Sequence, residues 1–281
     1  MKGGGEMYKE YEFKNKELFY KHVITPAKEC SSFSLHAHNM YEFLYFVNGN
    51  AVGAIEGKRY KLKKGDLMLI RPLKYHFIEI EPTTDYERFD ILFDDRSLGA
   101  GFTDMVPEGV EIVNISENTM ASDIFMKLDV YFTKLSEDDF SAVLPLLIKE
   151  LFYSLKIEIG RDEDTHEIKE INPTLSAALR YINGNLFTLK SISEVSDSLF
   201  ITESYLYRIF KAELHKSPKK YINDKRLLAA QSLIQMGEKP TAVYERCGFT
   251  DYTAFFRNYK EYFGYSPSKE QDYVCEFEDT H

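Results

Sequence analysis

Cys247-Gly248-Phe249-Thr250-Asp251-Tyr252-Thr253-Ala254-Phe255-Phe256-Arg257-Asn258-Tyr259-Lys260, running on to Gly264-Tyr265-Ser266-Pro267, is the stretch on which the reading of the chain turns. Gly248 suits a turn between two helices, where a residue must take positive φ. Asp251 is placed to cap the next helix by accepting backbone N–H bonds. Within that helix Phe255 and Tyr259 lie four apart on one apolar face. Thr253, Phe256, Arg257 and Lys260 fall on or beside the other face. A short turn followed by a helix with basic and polar residues outward is how a recognition helix looks in sequence.

The pattern occurs twice. Shifted by 49 residues, Ser204 to Pro218 aligns without a gap to Thr253 to Pro267. Arg208/Arg257, Lys211/Lys260, Ser217/Ser266 and Pro218/Pro267 are identical, and Leu206/Phe255 and Phe210/Tyr259 are alike. Two helix-turn-helix units in one chain explain these matches, because they fall where each helix needs them. Helices are predicted over Leu175 to Asn183, Thr188 to Leu199 and Glu203 to Leu214, the last capped by Thr202. Between the units, Lys219 to Met236 reads as a connecting helix ending at Gly237. Its roughly 18 residues span ~27 Å, enough to hold two recognition helices about one duplex turn apart. The spacing of Gly-Phe, Phe, Tyr-Lys, Gly and Ser-Pro resembles the second helix-turn-helix of AraC/XylS-type transcription regulators, and the resemblance covers residues 173–267. The chain departs from the family pattern at Tyr244, where a small residue is usual, and at Pro240, His215 and Glu270-Gln271. Tyr244 is the departure expected to disturb packing of the second unit.

Charge agrees with that placement. The whole chain carries −10, but residues 173–269 hold 14 Lys/Arg against 9 Asp/Glu, while residues 1–172 hold 21 against 31. A basic block beside acidic ones is the asymmetry expected where one domain meets phosphate. The three cysteines show no C-x-x-C pair, so neither a disulfide framework nor a cysteine zinc site is supported. No apolar run approaches membrane-spanning length, so a membrane is excluded as partner and a reducing cytoplasm is the expected location.

The N-terminal half reads differently. Phe33 to Leu35, Glu42 to Val47, Ala51 to Ile55, Tyr60 to Leu62, Leu67 to Ile70, Tyr75 to Ile80 and Tyr86 to Phe93 are short apolar or alternating runs between turn signals. Such spacing predicts a sandwich or jelly-roll barrel. His36 and His38 share a face on an extended strand, Glu42 opens the next, and a later strand can bring in His76. Three imidazoles and a carboxylate are good ligands for a first-row divalent metal. The His36-x-His38-x-x-x-Glu42 spacing resembles the first cupin motif, and Gly65, Pro72 and His76 a degenerate second one, with Leu73, Lys74 and Ile80 at its usual glycine and asparagine places. Sensor domains of AraC-type regulators also keep a His-x-His while binding organic effectors, so metal and effector both stand as readings of the cluster. Met120 to Leu135 and Phe140 to Leu155 carry helical stripes, with Pro145 confining the second to its first turn or kinking it. The family resemblance implies that such helices pair two subunits.

The expected architecture is α+β and multidomain. Residues 1–160 form a cupin-like β-barrel with two following helices that binds effector and dimerises; 161–172 form a linker. Residues 173–270 form an all-α double helix-turn-helix, and 271–281 an acidic tail. Carried over by the resemblance, Ser204, Tyr207 and Arg208 in the first unit face base edges, as do Tyr252, Thr253, Phe256 and Arg257 in the second. Lys211, Lys260, Lys219 and Lys220 are placed for phosphate. The function this implies is a sequence-specific regulator, not an enzyme, that binds double-stranded DNA as a homodimer. It responds to a small molecule, a carbohydrate being the family-based guess, and meets RNA polymerase if it activates. The alternative is a metal-dependent cupin enzyme with an ancillary helical domain.

Overall fold

The structure, a computed structural model, describes residues 9–99, 101–115, 119–159, 168–170 and 172–272. Strands β1 (Lys9–Lys14), β2 (Leu18–Thr25), β3 (Tyr41–Asn48), β4 (Ala51–Ile55), β5 (Lys58–Lys61), β6 (Asp66–Ile70), β7 (His76–Ile80), β8 (Tyr86–Phe93), β9 (Ile112–Asn114) and β10 (Ile168–Glu170) make two sheets. One runs β1-β2-β8-β3-β6-β9 and the other β10-β5-β4-β7, with every pair antiparallel. Alternation along β3 sorts its side chains between two cores. Phe43 and Tyr45 pack toward helices, whereas Leu44 and Phe46 meet Met68, Ile70, Ile78, Ile80 and Tyr86 between the sheets. The expected barrel is thus realised as a sandwich of two facing sheets that do not close into one cylinder.

The predicted helices lie on the outer face of the larger sheet. After the short α1 (Asp95–Leu98) come α2 (Met120–Lys134) and α3 (Glu137–Glu158). Ile124, Phe125, Leu128, Leu144, Leu147, Leu151 and Phe152 share one buried cluster with the outward side of β3 and β8. α3 starts earlier than predicted, at the Ser136 cap, whose hydroxyl accepts from Asp139 N. Glu137, Asp138 and Asp139 favour that start through the helix dipole, so Pro145 lies in the helix interior, past the first turn. Two further corrections concern strands. Phe33 to Leu35 is not a strand; its stretch joins the sheet through the Phe33 N–H bond to Ile78 O and a bridge between His36 and His76. Within the expected linker 161–172, β10 pairs with β5, Ile168 opposite Tyr60; residues 161–167 lie outside the described residues, as does most of the acidic tail 271–281.

The helical half comprises α4 (Pro173–Gly184), α5 (Ile192–Ser198), α6 (Glu203–Leu214), α7 (Pro218–Gln235), α8 (Pro240–Arg246) and α9 (Tyr252–Phe263), closed by a 3-10 turn at Pro267–Asp272. α5 is shorter than the predicted Thr188–Leu199 because Ser191 caps it, its hydroxyl accepting from Glu194 N. Thr202 and Asp251 cap the recognition helices as expected, accepting from Tyr205 N and Ala254 N. Gly248 takes φ +82°, and a Cβ there would meet Phe187 O at 2.7 Å, so that turn needs glycine twice over. In the first unit the left-handed residue is instead Phe200, at φ 54°. Pro240 stands at the first turn of α8, where its missing N–H costs nothing.

Candidate DNA-binding and effector sites

On α6 and α9 the buried and exposed faces separate as the repeat requires. Leu206, Phe210, Phe255 and Tyr259 are fully buried. Ser204, Tyr207, Arg208, Lys211, Thr253, Phe256, Arg257 and Lys260 are exposed, and Tyr252 is half-buried. Tyr207 and Phe256 keep 38% and 37% exposure, which places them on the outer face and not in the cores. Arg208 rests over the Tyr205 ring at 5.0 Å, while Lys211 Nζ donates to His215 O at 3.3 Å. Lys219 and Lys220 are exposed at the start of α7; Lys220 also reaches Asp224 at 3.3 Å. Tyr244 does not break the second unit. Its ring lies against Tyr252 (5.5 Å, edge-on) and near Phe255, and its hydroxyl donates to Glu245.

His36, His38, Glu42 and His76 come together at one end of the sandwich. Their ligand atoms all lie within 4.8 Å of one another. Glu42 is brought there by β3 and His76 by β7, and backbone bonds between His36 and His76 (3.1 and 2.9 Å) hold the two segments side by side. Each imidazole places Nδ1 on a main-chain carbonyl: His36 on Ser34 O (2.9 Å), His38 on Met40 O (3.0 Å), His76 on Lys74 O (2.9 Å). Donation from Nδ1 turns every Nε2 into the cluster, where it can donate to Glu42 while protonated and offers a lone pair once the proton is lost. His38 Nε2 lies 2.9 Å and His76 Nε2 3.2 Å from Glu42 Oε2. The second contact is in ion-pair range but lacks hydrogen-bond geometry, so His76 Nε2 is a buried nitrogen without a hydrogen-bond partner. Burial opposes ionisation of Glu42, yet His76 and His38 hold it well below the usual carboxylate range. Burial works against the His76 cation too, and Glu42 raises it. His36, by burial and by its two imidazole neighbours, falls to about 3 and stays neutral.

A third constellation was not legible in the sequence: a polar network joins the sandwich to the helical half. Glu56, after β4, accepts from Lys225 (2.8 Å), Asn183 (2.6 Å), Tyr221 (2.7 Å) and the Tyr75 N–H (2.8 Å). Tyr75 OH donates to Asp224 at 2.9 Å, and Lys216 bonds both. Asn39 donates to Gln235 at the end of α7. Burial draws the Lys225 ammonium below its usual value even against Glu56, while Glu56, with more donors than Lys225 has acceptors, is lowered despite its own burial. The available signal was Asp224-Lys225 set between Tyr221 and Leu228 on the buried face of α7.

Two tandem helix-turn-helix units behind a sandwich with a ligand-type cluster define a two-domain DNA-binding regulator. Family comparison agrees. The model described as "AraC-like ligand binding domain" matches residues 25–102, and that described as "Helix-turn-helix domain" matches 195–272. The chain is 20% identical to the HTH-type transcriptional activator RhaS of Escherichia coli over 251 residues, 87% of this chain and 90% of that one. It is 30% identical to LumQ of Photobacterium leiognathi, named a probable transcriptional regulator, over 40% of this chain but only 44% of LumQ. Among solved structures, ToxT from Vibrio cholerae aligns over 93% of this chain with 12% identity and a TM-score of 0.39. The chain belongs to the AraC family of transcription regulators, with a ligand-binding half and a DNA-binding half. No helix among the described residues is long and apolar enough to cross a membrane.

Proposed function

We propose that the two recognition helices read successive major-groove segments of a promoter, and that a small effector bound in the sandwich alters that reading. Arg208 and Arg257 fork onto base edges, Tyr207 and Phe256 pack on thymine methyls, and Ser204, Tyr252 and Thr253 complete the two base-facing sets. Lys211, Lys260, Lys219 and Lys220 meet phosphate. The observation that carries this reading is the exposure of one repeated face, Ser204-Tyr207-Arg208-Lys211 and Thr253-Phe256-Arg257-Lys260, over buried partners at matching positions. The effector seat is the His36/His38/Glu42/His76 end of the sandwich.

The protein acts in the cytoplasm as a homodimer and as a regulator, not a cupin enzyme. RNA polymerase is its further partner if it activates. Support for the dimer comes from α3, where Leu146, Tyr153 and Ile157 lie seven and four residues apart and stay 60%, 55% and 43% exposed, an apolar stripe suited to a second copy. Fluorescence anisotropy of the full chain on duplexes selected from a random pool tests the DNA reading. Affinity should fall steeply with salt as phosphate contacts release counterions; salt-insensitive binding, or no selected duplex, would refute it.

A further inference from the structure

We propose that the effector is itself a first-row divalent metal ion held by His36, His38, Glu42 and His76, and that the DNA-binding half reads its arrival through the opposite faces of the same segments. This rests on the DNA-binding reading above and names the ligand it left open.

The donor set fits an ion. All three imidazoles are bound at Nδ1 by carbonyls of their own segments, so three Nε2 atoms converge on one carboxylate, each able to offer a lone pair once it gives up its proton. Lone pairs facing a carboxylate at 2.9 and 3.2 Å repel unless a cation or a proton stands between them. Carbonyl-anchored Nδ1 groups are the outer contacts by which metal-binding histidines are oriented. Two ligands on one ion at ~2.1 Å lie at most ~4.2 Å apart, so a gap of 4.8 Å closes by at least ~0.6 Å. Behind the cluster Leu44, Phe46, Met68, Ile70 and Ile78 share a buried core with Tyr86, and Arg88 and Asp90 are buried on the same side of β8.

The readout follows from alternation. In extended backbone, neighbours point to opposite sides. His36 and His38 face the cluster, while Ala37 between them is buried in a core shared with Leu175, Leu179, Phe210 and Tyr221 of the helical half. His76 faces the cluster, while Tyr75 stacks on Tyr221 at 4.7 Å and donates to Asp224. Asn39, next to His38, bonds Gln235. Any shift that gathers the ligands therefore moves Ala37, Tyr75 and Asn39 against α7, the helix that spaces the two recognition units. Packed interfaces of this kind turn small displacements into switches.

The test uses the full chain, stripped by chelation and then titrated with Co²⁺ and, in competition, Zn²⁺. One equivalent should bind with visible ligand-field bands, and His36→Asn and His38→Gln, at the less buried ligands, should each weaken binding at least tenfold with unchanged circular dichroism. Absence of stoichiometric binding, or binding untouched in both variants, overturns the ligand set. For the readout, duplexes are selected separately with and without Zn²⁺. Affinity for a selected duplex should change at least fivefold with Zn²⁺, and Tyr75→Phe, which leaves the ligands in place, should keep metal affinity but lose much of that change. Metal binding with unaltered DNA affinity overturns the readout alone. Metal binding with no DNA binding in either state overturns the DNA reading and the readout with it, but not the ligand set.

Discussion

Lys225→Met is the perturbation that most directly probes the joint between the two halves. Lys225 is 2% exposed and its ammonium has two acceptors, Glu56 and Asn183. Removing one partner of a buried ion pair costs about 3–5 kcal/mol, because the other charge stays buried. Here Glu56 keeps three donors, the Tyr75 N–H, Asn183 and Tyr221, so the loss should sit at the lower end, ~3 kcal/mol. Glu56→Gln/Lys225→Met removes both charges and should return to within ~1 kcal/mol of the native chain, giving a coupling energy of at least ~2 kcal/mol once the cost of Glu56→Gln alone is counted. Urea unfolding by circular dichroism at pH 7 reads the cycle. The pH dependence has a fixed sign. Glu56 is lowered below its ordinary value, so its contribution is complete above the usual carboxylate range and is lost as pH falls through the lowered value. Lys225→Met should flatten that acid limb. A cost below ~1 kcal/mol, or a double variant as damaged as the two singles summed, would refute the buried pair and the docking it implies.

Arg208→Ala should relax base preference in one half of a selected site and Arg257→Ala in the other, each by ~1–3 kcal/mol of discrimination, whereas Lys211→Ala should weaken all sequences alike. Randomised-site binding by the three variants checks this, and both arginines altering the same base pairs would end the two-groove model. Phe200 is 96% exposed at φ 54°, so Phe200→Gly should raise thermal stability by up to ~1 kcal/mol, strain relief of ~1–2 being offset by ~0.5–1 of glycine's unfolded-state entropy. A fall in melting temperature would mean that the ring holds a contact. Leu146→Glu/Tyr153→Glu should dissociate the proposed homodimer at micromolar concentration in sedimentation of the full chain; a native chain already monomeric there removes that proposal.

The helical half was legible because its signals are local. Thr202 and Asp251 cap where they stand in sequence, Gly248 turns where φ must be positive, and the 49-residue repeat exposes matching faces. The ligand cluster was legible for a similar reason, since His-x-His and a following Glu are close in sequence. β1 and β2 lay ahead of the region read as β, and their pairing with β8, Leu18 opposite Phe93, is a long-range choice no local pattern announces. Glu56 was invisible as well. It sits at φ 46° in a Glu-Gly-Lys turn, where an acidic residue reads as solvated. Only docking of α4 and α7 against that turn buries it.

Glu270 carries the same lesson to the second unit. In sequence it stands at the last position of the helix-turn-helix half, beside the acidic tail, and departs from the family pattern. In the fold it is 2% exposed, accepting from the Tyr259 hydroxyl of α9 and from Gln235 Nε2 at 2.9 Å. Gln235 in turn accepts from Asn39, one residue after His38. The carboxylate is thus a junction of three elements, so the basic face of α9 does not have it as an exposed competitor for phosphate. The first unit meets the cluster through Tyr75 and Asp224, the second through Asn39, Gln235 and Glu270. Both paths leave the sandwich within one residue of a histidine of the cluster. A one-residue slip of either segment would turn its histidines outward and its docking side chains inward, so site and interface are fixed by the same register.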